Sequence, residues 1–185
     1  NLSISSPTVS VTATQTTTNS GNIAITPTAA YSGAGQLNSA GNISITGGTN
    51  VDPTGPMQAV SNVVLRGSGQ ITTATNGTLT SSGGSVEVRT TAGLVTLGNA
   101  VLASDSITVA LTGAYSGAGT LTATNGTVTI SGGTSVAPTG AIRALGDISL
   151  SGSAAVSNST APLTSTAGSI SVVSTGTTVA LSGAV

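Results

Sequence analysis

Residues 86–106 read Val86-Glu87-Val88-Arg89-Thr90-Thr91-Ala92-Gly93-Leu94-Val95-Thr96-Leu97-Gly98-Asn99-Ala100-Val101-Leu102-Ala103-Ser104-Asp105-Ser106. Three short runs carry branched residues: Val86-Glu87-Val88, Leu94-Val95-Thr96-Leu97 and Ala100-Val101-Leu102-Ala103. Turn formers separate them, in Thr91-Ala92-Gly93 and Gly98-Asn99. Such runs read as strands. Side chains alternate along a strand, so Val86 and Val88 are expected to point inward and Glu87 outward.

The opening of this stretch recurs along the chain. A small turn residue, a polar residue and two branched residues one apart appear at Gly21-Asn22-Ile23-Ala24-Ile25, Gly41-Asn42-Ile43-Ser44-Ile45 and Gly126-Thr127-Val128-Thr129-Ile130, among others. The first branched residues are Ile23, Ile43, Val63, Val86, Ile107, Val128, Ile148 and Ile170, at steps of 20, 20, 23, 21, 21, 20 and 22. A short, nearly constant period without a helical pattern means a stacked, quasi-one-dimensional array. The expected fold is all-β, a single-stranded parallel β-helix (β-solenoid) with about 21 residues and three faces per coil. A hairpin sandwich gives no reason for the constant period. Adjacent coils rise about 4.8 Å, so the rod should be roughly 40 Å long. The eight residues above should form one buried column. Long loops could interrupt the rod only where the period stretches, chiefly between Val63 and Val86.

A longer repeat is superimposed. Ala30-Tyr31-Ser32-Gly33-Ala34-Gly35 returns as Ala114-Tyr115-Ser116-Gly117-Ala118-Gly119, an offset of 84. Gly47-Gly48-Thr49 and Pro53-Thr54-Gly55 return as Gly132-Gly133-Thr134 and Pro138-Thr139-Gly140, an offset of 85. Four coils make one such unit. Residues 1–185 therefore read as one continuous solenoid segment with super-repeats at about 22–105 and 106–185.

Composition narrows function. Charged residues are 4% and aromatic residues 1%, the net charge is −1, and Cys, His, Phe and Trp are absent. The interior must then be filled by Ile, Val, Leu and Ala. Disorder requires low hydrophobicity with high net charge, which this chain does not have. Arg66, Arg89 and Arg143 cannot supply the basic stripe that nucleic acid requires. No apolar run has the length of a membrane span. The chain begins at Asn1 and stops in mid-pattern, from Leu2-Ser3-Ile4 to Val179-Ala180-Leu181. It is expected to be part of a longer rod or a subunit that stacks on itself end to end.

Without His or Cys the usual nucleophile–base pairs cannot form, and no catalytic residue is expected. The acids Asp52, Glu87, Asp105 and Asp147 fall in different coils, so no metal site and no cofactor are expected. Asp52 is not part of the long repeat, since Ala137 stands in its place. Aligning Val63 with Val86 puts Arg66 beside Arg89 and Glu87 near both, a surface ion cluster. Tyr31 and Tyr115 occupy equivalent places. They read either as a sugar-stacking pair or, preferably, as rings closing over corner glycines. Asn22, Asn42 and Asn62, spaced by 20, either form a ladder of stacked amides or merely tolerate a turn. Thr16-Thr17-Thr18, Thr72-Thr73, Thr78-Leu79-Thr80, Thr120-Leu121-Thr122 and Thr127-Val128-Thr129 raise the alternative of a regular hydroxyl face for ice or glycan. They do not recur in every coil, and Thr simply suits outward strand positions. Sequons begin at Asn42, Asn76, Asn125 and Asn158.

These glycine–polar–(Ile/Val)–x–(Ile/Val/Leu) coils resemble the repeats of filamentous haemagglutinin-type adhesins. More broadly they are similar to autotransporter-like β-helical passengers of large bacterial surface proteins. The resemblance spans about Leu2 to Val185 and rests on period and composition. It implies a right-handed β-helix, an extracellular or cell-surface location, and a role as stalk, adhesin or matrix filament, with cell-surface glycans as possible partners. The chain departs from those repeats in its fewer charges, and no Asn-Pro-Asn secretion motif occurs in it.

Overall fold

A computed structural model describes residues 1–73, 76–158, 160 and 162–185. Among them every regular element is a β-strand, and every strand pairing is parallel. The chain winds as a parallel β-solenoid of about eight turns with about 21 residues each. Each turn crosses three faces. In the second turn, Ile23–Gly33 runs over the first face and, through the corner, onto the second, and Leu37–Ser39 then forms the third. Because that 11-residue strand bridges the corner, the first two faces join as one 16-stranded sheet. The third face is a separate sheet of eight strands.

The period becomes a register. On the first face Ile23, Ile43, Val63, Val86, Ile107, Val128, Ile148 and Ile170 are successive partners in a single column. The first seven are fully buried, whereas Ile170, covered by a neighbouring coil on one side, is only partly buried. A second column lies two residues on, through Ile25, Ile45, Leu65, Val88, Val109, Ile130 and Leu150. The third face adds Leu37, Met57, Leu79, Val101, Leu121, Ile142 and Leu163. Burying one branched side chain contributes about 1.5–3 kcal/mol, and each coil repeats that contribution on three faces. No aromatic residue is required, because the interior is only a few side chains across.

The long repeat marks corners. Gly47, Gly48, Gly132 and Gly133 have φ of 114°, 76°, 88° and 56°, in the region that side chains with a Cβ disfavour. After each pair a threonine donates its N–H to the coil below, Thr49 to Ala29 O and Thr134 to Gly113 O, both at 2.6 Å. Conserving the fold of the unit therefore means conserving these glycines.

The lengthened step between Val63 and Val86 is located. Five residues separate Thr73 from Leu79, where three separate Pro53 from Met57. Four separate Ser81 from Val86, where three separate Ala59 from Val63. The strands on either side keep their register, so the columns continue past both additions.

Candidate functional site

One corner carries a polar spine running almost the length of the rod. The residue before each column residue is Asn22, Asn42, Asn62, Ser85, Ser106, Thr127, Asp147 and Ser169. In Asn22, Asn42, Asn62, Ser85, Ser106 and Asp147 the side-chain oxygen accepts a backbone N–H of the next coil, whereas the Thr127 hydroxyl bonds Ser106 Oγ at 3.3 Å. Asn42 N–H donates to Asn22 Oδ1 at 2.7 Å, Asn62 N–H to Asn42 Oδ1 at 3.0 Å, and Ser85 N–H to Asn62 Oδ1 at 2.8 Å. The amides also bond to one another, Asn42 Nδ2 to Asn22 Oδ1 at 3.0 Å and Asn62 Nδ2 to Asn42 Oδ1 at 3.1 Å. Hydroxyls then take over: Ser106 N–H reaches Ser85 Oγ at 3.3 Å and Thr127 N–H reaches Ser106 Oγ at 3.2 Å. Ser169 N–H donates to Asp147 Oδ1 at 2.7 Å, and its hydroxyl to the same oxygen at 3.0 Å. Those bonds hold the Asp147 carboxyl below its ordinary value. The spacing of 20 exposed only the three asparagines. Ser85, Ser106 and Asp147 perform the same task with other side chains, which identical spacing of one residue type does not reveal.

On the first face Arg66 and Arg89 are register partners, and Glu87 faces Val64 in the adjoining coil. The Arg66 Nε donates to Glu87 Oε1 at 2.9 Å and its Nη2 to Oε2 at 2.8 Å. This two-pronged bond raises the Arg66 pKa further. Both partners are partly solvated, so the pair is a surface ion pair, and among the described residues it is the single one. Arg89 is exposed and outside it.

Tyr31 and Tyr115 lie in one inward column of the second face, through Val51, Ile71 and Val95. Each is 1% exposed, which removes the sugar-stacking reading. A Cβ on Gly33 would lie 3.0 Å from the Tyr31 hydroxyl, so that ring does close over a corner glycine. Neither hydroxyl has a partner. Burial pushes the Tyr31 pKa up to about 12 and raises that of Tyr115 as well.

The threonines do not gather into one face. The outward column of the third face reads Thr16, Asn38, Gln58, Thr80, Leu102, Thr122, Arg143 and Thr164. Thr127-Val128-Thr129 belongs to the first face, and Thr73 points inward and is buried. Of the sequon asparagines, Asn76 and Asn125 are exposed, Asn42 is engaged in the spine, and Asn158 is fully buried, with Ser159 outside the described residues.

Among the described residues no three acids come together in a cluster able to hold a metal ion. Likewise no helix is long and apolar enough to cross a membrane. No family model matches the chain. Comparison with curated proteins and with solved structures also returns no match.

Proposed function

We propose that this protein is a non-enzymatic, extracellular structural element: the repeat region of a giant bacterial surface adhesin, or a unit of a surface filament or sheath. The observation that carries the reading is the uninterrupted register of the column from Ile23 to Ile170. Every coil contributes the same aliphatic layers, and the outer positions hold mostly short Ser, Thr, Ala and Asn side chains. This composition favours length and stiffness over a single reactive cleft. A further coil laid on Ile170–Ser174 and Thr178–Leu181, from the same chain or from a second copy, would cover Val179 and Leu181, each 47% exposed. Stacking of that kind continues the strand pairing and does not close, so it makes filaments. A regular hydroxyl face for ice or glycan has weaker support, since threonine occupies four of the eight places in a mixed column, at irregular intervals.

The test is immunogold labelling of intact producing cells together with electron microscopy of the purified protein. Label on the cell surface and rods or filaments one solenoid wide support the reading. Label confined to the cell interior overturns it. So would polysaccharide hydrolase or lyase activity lost in Arg89→Ala.

A further inference from the structure

On the outside of the second face, Asn50 pairs in register with Gln70, and two residues on Asp52 and Thr72 occupy the corresponding places in those coils. With Val51 beneath them, these four side chains line a recess of about 270 Å³. Strand geometry sets the four at the corners of a patch about 5 Å by 7 Å, which matches the footprint of one monosaccharide with its hydroxyls. Asp52 Oδ1 is buried and accepts no hydrogen bond. A carboxylate oxygen left in that condition is costly, and one donor removes most of the cost. The Gln70 amide donates to Thr72 Oγ1 at 2.5 Å, which leaves its carbonyl oxygen as a further acceptor on the rim. Leu94, the neighbour of Gln70 in the following coil, is 40% exposed and gives the patch an apolar shoulder.

The duplicated unit supplies an internal control. There the framework returns, as Val136 for Val51, Pro138 for Pro53 and Gly140 for Gly55. Its four patch positions are Ser135, Ala137, Ala155 and Ser157. Alanine serves the fold at the Asp52 position, so the coil does not need an acid there. The first unit carries a carboxylate, two amides and a hydroxyl at one spot over the same kind of aliphatic framework.

We infer that Asn50, Asp52, Gln70 and Thr72 form a saccharide subsite, in which the Asp52 carboxylate accepts hydrogen bonds from adjacent sugar hydroxyls, the amides bond a third hydroxyl and Leu94 meets the C–H edge of the ring. The chemistry favours a neutral polyol over a metal ion. One carboxylate is too few for a calcium cage, and the recess is many times the volume of an ion.

The experiment is saturation-transfer NMR on the whole chain with methyl β-D-glucopyranoside, methyl β-D-galactopyranoside and methyl α-D-mannopyranoside at millimolar concentration, and calcium chloride in a separate arm followed by chemical shifts. Transfer to at least one glycoside is expected, weakened about tenfold or more in Asp52→Ala, as loss of hydrogen bonds to a charged acceptor implies. The thermal midpoint of that variant should stay at or above the parent value, as Ala137 and the relief of an unbonded carboxylate oxygen both indicate, and Ala137→Asp should bind no better than the parent. No transfer to any of the three glycosides, transfer unchanged in Asp52→Ala, or shifts at Asp52 produced by calcium alone would each overturn the assignment.

Discussion

The Arg66 guanidinium grips both carboxylate oxygens of Glu87 on the next coil, at 2.9 and 2.8 Å, while Arg89 lies directly beside Arg66 in the same column. Glu87 thus neutralises one of two stacked cations. Replacing it by Gln removes the attraction and leaves the two arginines opposed. Because the pair is partly solvated, the cost should be small, about 0–1 kcal/mol, and should shrink at high ionic strength. Urea unfolding of Glu87→Gln at low and high salt measures it. A loss of several kcal/mol, or one indifferent to salt, would show the pair to be more than a surface contact.

In the interior the expectation is much larger. Ile107 is fully buried between Val86 and Val128. An Asp there has no partner and should cost several kcal/mol. As each coil contacts only its neighbours, the damage should be local. Hydrogen exchange should reveal rapid opening around the coil of Ile107, with protection persisting in the coils farther away. Uniform protection in Ile107→Asp would refute the column.

The two tyrosines invite the opposite substitution. Their hydroxyls are buried without partners, so Tyr31→Phe and Tyr115→Phe remove a polar group that gains nothing in the fold. Each variant should be as stable as the parent or more so, within about 1 kcal/mol. A thermal midpoint clearly lowered by either change would mean that the hydroxyl is bonded in solution.

Acid should loosen the last link of the spine. Hydrogen bonds from Ser169 hold the Asp147 carboxyl below its ordinary value. Its folded value is therefore lower than its unfolded one. The stabilisation is complete above the ordinary carboxylate pKa, near 4, and fades as pH falls through the depressed folded value. Protection of the Ser169 amide, corrected for intrinsic exchange, should decline over that range in the parent and stay flat in Asp147→Asn. Equal pH profiles in the two proteins would exclude the link.

These cases also show how far the sequence could be read. The column from Ile23 to Ile170 was legible because burial selects the same class of side chain at every turn, and a period of about 21 survives inspection by eye. The inward and outward alternation of Val86, Glu87 and Val88 followed from strand geometry alone. The spine was legible only as three asparagines, since Ser85, Ser106 and Asp147 differ in name yet share an acceptor oxygen. The depth of Tyr31 and Tyr115 was half visible: the nearby glycines suggested closure, but complete burial depends on the coils above and below. The recess at Asp52 was not legible at all. It arises between Asn50 and Gln70, which stand 20 residues apart in the chain. Only the register makes them neighbours.

The duplicated unit spans four coils, so Tyr31 and Tyr115 return to the same column. A copied segment of any fractional number of turns would have delivered its inward residues to solvent and its corners to the middle of a face. Duplication of a segment in such a rod is thus filtered by geometry, so copied units come in whole turns, while one or two added residues fit at a corner. The molecule consequently changes length in discrete increments of about 4.8 Å, with each face keeping its bearing. Any feature placed on one side of the first unit is presented on that same side however many units follow. Were further units added in this way, the number of copies would set the length of the rod, and the content of each copy could diverge independently.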